Sequence, residues 1–188
     1  SDMDVLSASE NDAKIAWYEN LDSGGISTTQ NVITTNASGA NSVYAADLDG
    51  DSDLDVLSAS SRDDKIAWYE NDGTGSFSGQ QVITTNADNA RSVYAADLDG
   101  DGDMDVLSAS GGDDKIAWYE NDGTGSFSGQ NVITTDADGA LSVYAADLDG
   151  DGDMDVLSAS EKDFPNDDRI AWYENQIGES GADGDGFG

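Results

Sequence analysis

Ser92-Val93-Tyr94-Ala95-Ala96-Asp97-Leu98-Asp99-Gly100-Asp101 is a short apolar run that ends in a cluster of carboxylates. The same ten residues begin again at Ser42 and at Ser142. Other words of the sequence recur around them. Asp-Val-Leu-Ser-Ala-Ser begins at Asp4, Asp55, Asp105 and Asp155. Ile-Ala-Trp-Tyr-Glu-Asn begins at Ile15, Ile66, Ile116 and Ile170, and Val-Ile-Thr-Thr at Val32, Val82 and Val132. The period is about 50 residues, the length of a propeller blade and long for one coil of a solenoid.

Each period reads as four short strands. Val43 to Leu48 is apolar and runs into the acidic loop. Asp55 to Ser60 alternates, with Val56 and Ser58 on one side and Leu57 and Ala59 on the other. Lys65 to Glu70 alternates too, and Val82 to Thr85 is β-branched throughout. Asp72-Gly73-Thr74-Gly75-Ser76 and its copy from Asp122 are turns joining the third strand to the fourth. No segment has a helical period. One four-stranded sheet cannot bury both its faces alone, so the repeats must stack. The predicted fold is all-β, a β-propeller of four-stranded antiparallel blades, with about 3.5 blades in a single segment over 1–188. The repeats run approximately 1–41, 42–91, 92–141 and 142–188. Closed propellers have about four to eight blades, so a part of a larger propeller is expected, with completion by a second copy as the alternative.

Composition narrows the partners. The chain has 188 residues, 40 acidic and 7 basic, no His and no Cys, for a formal charge of −33. Such a charge repels itself, and it repels nucleic acid and anionic membrane surfaces. No apolar run is long enough for a transmembrane helix, so membrane insertion is not expected. Without His or Cys, the commonest general base and the best thiol nucleophile are missing. The chain is therefore read as a non-enzyme.

The acidic loop carries the chemistry. Asp47-Leu48-Asp49-Gly50-Asp51-Ser52-Asp53-Leu54-Asp55 is followed by Asp97-Leu98-Asp99-Gly100-Asp101-Gly102-Asp103-Met104-Asp105 and by Asp147-Leu148-Asp149-Gly150-Asp151-Gly152-Asp153-Met154-Asp155. Carboxylates stand at positions one, three, five, seven and nine. Two like charges about 4 Å apart repel by up to about 4 kcal/mol at an effective dielectric near 20, and each loop holds several such pairs. A hard divalent cation turns that repulsion into attraction. All the donors are oxygen, and a set of about six to eight oxygens suits calcium better than zinc, copper or magnesium. An EF-hand needs Glu at position twelve and a helix after it; here position twelve is Ser58, Ser108 or Ser158, within a strand pattern. Three calcium ions are expected, one per complete loop. Ser52 stands where the other loops have Gly102 and Gly152, and a positive φ there costs a serine about 1 kcal/mol.

The loop Asp97 to Asp105, with Val93-Tyr94-Ala95-Ala96 before it and Val106-Leu107 after it, resembles the FG-GAP or VCBS repeat of the integrin α-subunit propeller and of many secreted bacterial proteins. Phe77, Phe127 and the terminal Phe187-Gly188, each after a Gly-rich turn, resemble its Phe-Gly signature. The resemblance implies that the side chains at positions one, three, five and nine bind calcium. At position seven it implies the backbone carbonyl of Asp53, Asp103 and Asp153, leaving those extra carboxylates to point to solvent. It also implies an extracellular or cell-surface module for adhesion, recognition or scaffolding, with a protein or glycan ligand. A lectin-like propeller, or a non-catalytic propeller attached to a secreted enzyme, are the alternatives.

Three smaller features complete the reading. Trp17, Trp68, Trp118 and Trp172 recur mid-strand and are expected between blades rather than on a sugar platform. Lys14, Lys65, Lys115 and Arg169 precede Ile-Ala-Trp and are expected to pair with the acidic turn just before them. The loop Glu161 to Arg169 is four residues longer than its counterpart in the preceding repeat, and the tail from Gly178 to Gly188 is Gly-rich and acidic.

Overall fold

A computed structural model describes residues 3–21, 24–161 and 168–176. Every regular element among them is a strand: β1 (Val5–Ser9), β2 (Lys14–Tyr18), β3 (Asn20–Leu21), β4 (Gly25–Ile26), β5 (Asn31–Thr34), β6 (Ala40–Ala46), β7 (Asp55–Ser60), β8 (Lys65–Tyr69), β9 (Gln81–Thr84), β10 (Ala90–Ala96), β11 (Asp105–Ser110), β12 (Lys115–Tyr119), β13 (Asn131–Thr134), β14 (Ala140–Ala146), β15 (Asp155–Ser160) and β16 (Arg169–Tyr173). Two antiparallel sheets have four strands, β6-β7-β8-β9 and β10-β11-β12-β13. They are flanked by two of three strands, β1-β2-β5 and β14-β15-β16. The order along each sheet follows the chain, so each unit is a meander joined by tight loops, the architecture of a propeller blade. No helix of the described residues is long and apolar enough to cross a membrane.

Strand boundaries shift slightly from the sequence reading. The first strand of the second blade spans Ala40–Ala46, where Val43 to Leu48 was expected. Leu48 has left the ladder because its N–H donates to the Asp55 carboxylate, which anchors it within the loop. Each fourth strand begins one residue before its Val-Ile-Thr-Thr word; the bulge between Ile66 and Ala67, repeated between Ile116 and Ala117, shifts its register.

The second strand of each blade shows why the sheets must stack. The alternation of Asp55 to Ser60 places Leu57 and Ala59 on one face and Val56 on the other, and all six residues are buried. Leu57, Ala59, Ile66 and Trp68 pack against Val93, Ala95, Val106 and Tyr119 of the third blade. Leu107, Ala109, Ile116 and Trp118 meet Val143, Ala145, Val156 and Tyr173 of the fourth in the same way. Ile15, Leu6 and Ala8 meet Val43, Val56 and Tyr69 across the first junction. One interface is thus built three times from repeated residues. Burial of each such apolar side chain is worth about 1.5–3 kcal/mol, and these faces supply most of the core.

Trp17, Trp68 and Trp118 lie in these interfaces, as their mid-strand position predicts, whereas Trp172 on the fourth blade is 50% exposed. Trp68 is only 3% exposed and meets the edge of Phe127, ring centroids 6.4 Å apart. A Cβ on Gly125 would collide with the Trp68 ring, which explains glycine at that turn beyond its positive φ. A sugar platform on Trp68 is ruled out by its burial.

The three lysines pair as expected, while the turn before Arg169 lies largely outside the described residues and Arg169 donates to Asp136 O at 3.3 Å. Lys14 meets Asp12 at 2.8 Å, Lys65 meets Asp63 at 2.9 Å and Lys115 meets Asp113 at 2.7 Å. Lys65 and Lys115 are mostly covered and reach Gln80 and Gln130 as well, whose amides donate to the hydroxyls of Tyr69 and Tyr119. These are small networks, worth more than isolated surface pairs. They sit at the opposite end of each blade from the acidic loops. The long loop of the fourth blade, through residues 162–167, and the tail from Gly178 lie outside the described residues.

Candidate metal centre

Each acidic loop leaves a first strand, turns through two left-handed residues and re-enters the sheet at its ninth position. Gly50, Gly100 and Gly150 have φ between 78° and 84°. Position six is also left-handed: φ is 77° at Ser52, 99° at Gly102 and 104° at Gly152. The serine therefore bears the conformational strain expected of it.

Backbone N–H groups aim the carboxylates. Asp47 accepts from Gly50 at 2.9 Å and from Ser52 at 2.9 Å; Asp97 accepts from Gly100 at 2.8 Å and Gly102 at 3.1 Å. Asp49 accepts from Asp51, and Asp99 from Asp101, both at 3.2 Å. Asp51 and Asp101 in turn accept from Asp53 and Asp103. Such Asx turns fix side chains that would otherwise splay apart to relieve their repulsion.

Position nine does something the sequence did not reveal. Asp55, Asp105 and Asp155 are wholly buried. One oxygen of each accepts the N–H of Leu48, Leu98 or Leu148, at 2.9–3.0 Å. The other accepts the N–H of Asn71, Asn121 or Asn175 at 2.8 Å. One carboxylate thereby ties the loop to the end of the third strand. Burial pushes the Asp55 carboxyl up to about 6 and the Asp105 carboxyl to about 7, against the pull of those N–H donors. Burial raises Asp49 and Asp99 as well, with neighbouring aspartates adding to the rise.

The ligand oxygens converge in each loop. Carboxylate oxygens of Asp47, Asp49 and Asp55 lie within 4.8 Å of one another, as do those of Asp97, Asp99 and Asp101, and of Asp147, Asp149 and Asp155. Positions one and three join every group; position nine completes two of them and position five the third. Asp51 and Asp151 stand outside their groups, as does Asp105 in the middle loop. Asp53, Asp103 and Asp153 join none. Their side chains do not simply point to solvent: all three are half-buried, and Asp53 and Asp103 lie against the turn glycines Gly73 and Gly123, where a Cβ would strike their carboxylates. The donor set is all oxygen, densely charged and held on a preformed loop, and it fits a hard divalent cation.

The asparagine that ends each Ile-Ala-Trp-Tyr-Glu-Asn word is the residue that sequence reasoning missed. Asn121 donates its amide to Met104 O at 3.0 Å and, across the blade boundary, to Leu48 O at 2.8 Å. Asn175 donates to Met154 O at 3.2 Å and to Leu98 O at 2.6 Å. Each acidic loop followed by a blade is thereby clasped by that blade. The invariant place of Asn in all four words was the available signal.

Comparison with known proteins bears on the fold and the family. No curated protein sequence matches the chain. Among solved structures, a lectin of Agrocybe aegerita, described for specific recognition of non-reducing terminal N-acetylglucosamine, matches at 19% identity with a TM-score of 0.62. The alignment covers 94% of this chain and 45% of the lectin, so the chain spans under half of that protein, and the likeness is one of fold. The Tc holotoxin pore of Photorhabdus luminescens matches at 17% identity and TM-score 0.49 over 90% of this chain and 8% of that one. The V. cholerae biofilm matrix protein Bap1 matches at 20% identity and TM-score 0.44, over 91% and 34%. The model of the FG-GAP-like repeat matches residues 1–58, 48–108 and 97–158, so that each match spans an acidic loop or its end together with the strands around it: the chain belongs to the FG-GAP-like repeat family.

Proposed function

We propose that this chain is a calcium-stabilised recognition or scaffolding module that works outside the cell. The observation that carries the reading is the convergence of three carboxylates within 4.8 Å in each acidic loop. Calcium would be held by Asp47, Asp49 and Asp55, by Asp97, Asp99 and Asp101, and by Asp147, Asp149 and Asp155, with the remaining position-five and position-nine carboxylates beside them. The ion supplies positive charge; the loops supply orientation through their Asx turns. The role is structural. At free calcium tenfold above Kd each site adds about 1.4 kcal/mol, so three sites add about 4 kcal/mol, comparable with the net stability of a small domain.

Extracellular calcium modules bind at about 0.1–1 mM, and FG-GAP-like repeats are typical of extracellular proteins. Both support work outside the cell. The module is read as non-catalytic, since its carboxylate clusters have a metal to hold and the chain has neither His nor Cys. Its ligand is a protein or a glycan. Titration calorimetry with calcium and with magnesium tests the metal, alongside melting curves in chelator. Calcium-selective binding near three sites, with a lower melting temperature in chelator, is expected. Asp101→Ala with Asp151→Ala should lower the melting temperature even in excess calcium. Unchanged melting in both tests would overturn the reading.

A further inference from the structure

Tyr44, Tyr94 and Tyr144 occupy the same position in β6, β10 and β14, outside the acidic loops and the lysine networks. These strands lie side by side, each at one edge of its sheet, as the inner strands of a propeller do. Bonds across the blade boundaries fix their register. The Val93 N–H donates to Ser42 Oγ at 3.4 Å, the Val143 N–H to Ser92 Oγ at 3.4 Å, and the Asn41 amide to Ala90 O at 3.1 Å. The ring centroids of Tyr44 and Tyr94 are 4.6 Å apart, those of Tyr94 and Tyr144 4.5 Å, and both pairs are tilted by 48°. Aromatic pairs usually meet at about 4.5–7 Å, so these rings are as close as such pairs come, and the tilt brings their facing edges together. Tyr44 and Tyr94 are only half-buried, at a junction between two whole blades, so a small oxidant reaches them. Burial, with the two neighbouring phenols adding to it, raises the Tyr94 hydroxyl above its ordinary range. It therefore meets an oxidant as the neutral phenol. Tyr69 and Tyr119 differ: both are wholly buried, their hydroxyls are held by Gln80 and Gln130, and among the described residues neither meets another tyrosine ring.

We propose that this tyrosine row is a site of oxidative cross-linking, at which neighbouring blades are joined covalently through dityrosine. The oxidant is hydrogen peroxide acting through a haem peroxidase. Each of two phenols gives up one electron and one proton, and the two phenoxyl radicals couple through a carbon–carbon bond between ring positions ortho to the hydroxyls. The hydrogens on those carbons move to the oxygens, which restores both aromatic rings. The peroxide takes up the two electrons and two protons and leaves as two waters. Tyr94 touches both other rings, so it couples with either neighbour. The bond would link inner strands fifty residues apart in a chain that has no cysteine to join its blades by disulfides.

The inference rests on the fold and not on bound metal. The folded full chain, kept dilute, is treated with peroxidase and hydrogen peroxide, then denatured, digested with trypsin and analysed by mass spectrometry. Arg62, Lys65 and Arg91 separate Tyr44 from Tyr94, and Lys115 separates Tyr94 from Tyr144, so each tyrosine falls in its own tryptic peptide. The expected product is a monomer lighter by two hydrogens per link, with dityrosine fluorescence. In it the Tyr94 peptide is joined to that of Tyr44 or of Tyr144. Tyr94→Phe keeps the ring and its packing and should abolish both links. Tyr144→Phe should abolish one and keep the other, with circular dichroism confirming that both variants remain folded. A folded chain that yields no joined peptides from the row, whatever else is oxidised, overturns the proposal. So do links formed only between separate molecules, or a Tyr94→Phe chain that cross-links like the parent. Running the reaction with calcium and with chelator keeps the outcome separate from the calcium reading: melting indifferent to chelator, with the links intact, would sink only the latter.

Discussion

Asp97 to Asp105 and Asp147 to Asp155 are the same nine residues in the same order, yet they occupy different environments. Leu98 is 2% exposed, covered by the fourth blade, and its carbonyl accepts the Asn175 amide at 2.6 Å. Leu148 is 46% exposed. Both loops make the same turn at Gly100 and Gly150 and the same bonds to position nine, although Asp101 joins the converging carboxylates of the first and Asp155 those of the second. The loop's conformation is therefore local, while its embedding belongs to the next blade. An acidic loop inside the stack is also part of a blade junction.

Mutations at matched positions can break or sharpen that contrast. Leu98→Ala should cost about 2–5 kcal/mol, the usual range for a buried leucine, and Leu148→Ala under about 1 kcal/mol. Urea unfolding of the two variants measures both, and equal costs would mean that the neighbouring blade does not determine the loop's stability. Next in size is the clasp. Asn175→Ala leaves the carbonyls of Leu98 and Met154 without that donor in a buried site and should cost about 1–3 kcal/mol, whereas Asn20→Ala, whose amide reaches only the exposed Met3 O, should change stability by about 0.5 kcal/mol or less.

A shallower effect comes from pH. The folded pKa values of Asp55 and Asp105, about 6 and about 7, lie above the ordinary 3.8 of an unfolded aspartate. Between about pH 4 and pH 7 the folded chain thus holds protons that the unfolded chain has released. Their contribution is full below the unfolded value and is lost as pH rises through the folded one. In chelator the melting temperature should fall across this window, and Asp105→Asn should flatten the fall. Calcium should flatten it as well, by favouring the ionised carboxylates. The smallest effect is expected at the one loop that departs from the glycine pattern. Ser52→Gly relieves a φ of 77° and should stabilise the chain by up to about 1 kcal/mol, bringing the Asp47 loop level with the other two in calcium titrations.

How much of this was legible in the sequence follows from what each feature depends on. The four strands per repeat, the alternation of Leu57 and Val56 and the two turn classes come from local patterns, and the structure reproduces them with small shifts of boundary. The strain at Ser52 could be anticipated because a positive φ is a demand of the turn itself. The double duty of Asp55 could not, because its second partner, Asn71, is sixteen residues away and bonds through a backbone N–H that carries no sequence signature. The half-buried place of Asp53 against Gly73 depends in the same way on a turn from elsewhere in the blade. Nor did the sequence show that Tyr44, Tyr94 and Tyr144 form a row of mutually tilted rings with centroids 4.6 and 4.5 Å apart along neighbouring first strands. Within one repeat that tyrosine is just one residue of an apolar strand.

Taken alone, then, the sequence determined a four-strand unit of about 50 residues, its acidic loop and the need for units to stack, because backbone preference, side-chain period and charge spacing act over a few residues. Which copies are covered, which carboxylates converge and which asparagines reach across a boundary were decided only in three dimensions. Burial and hydrogen bonding there join segments more than seventy residues apart, as between Asn121 and Leu48, and identical words take on unequal surroundings according to their place in the stack.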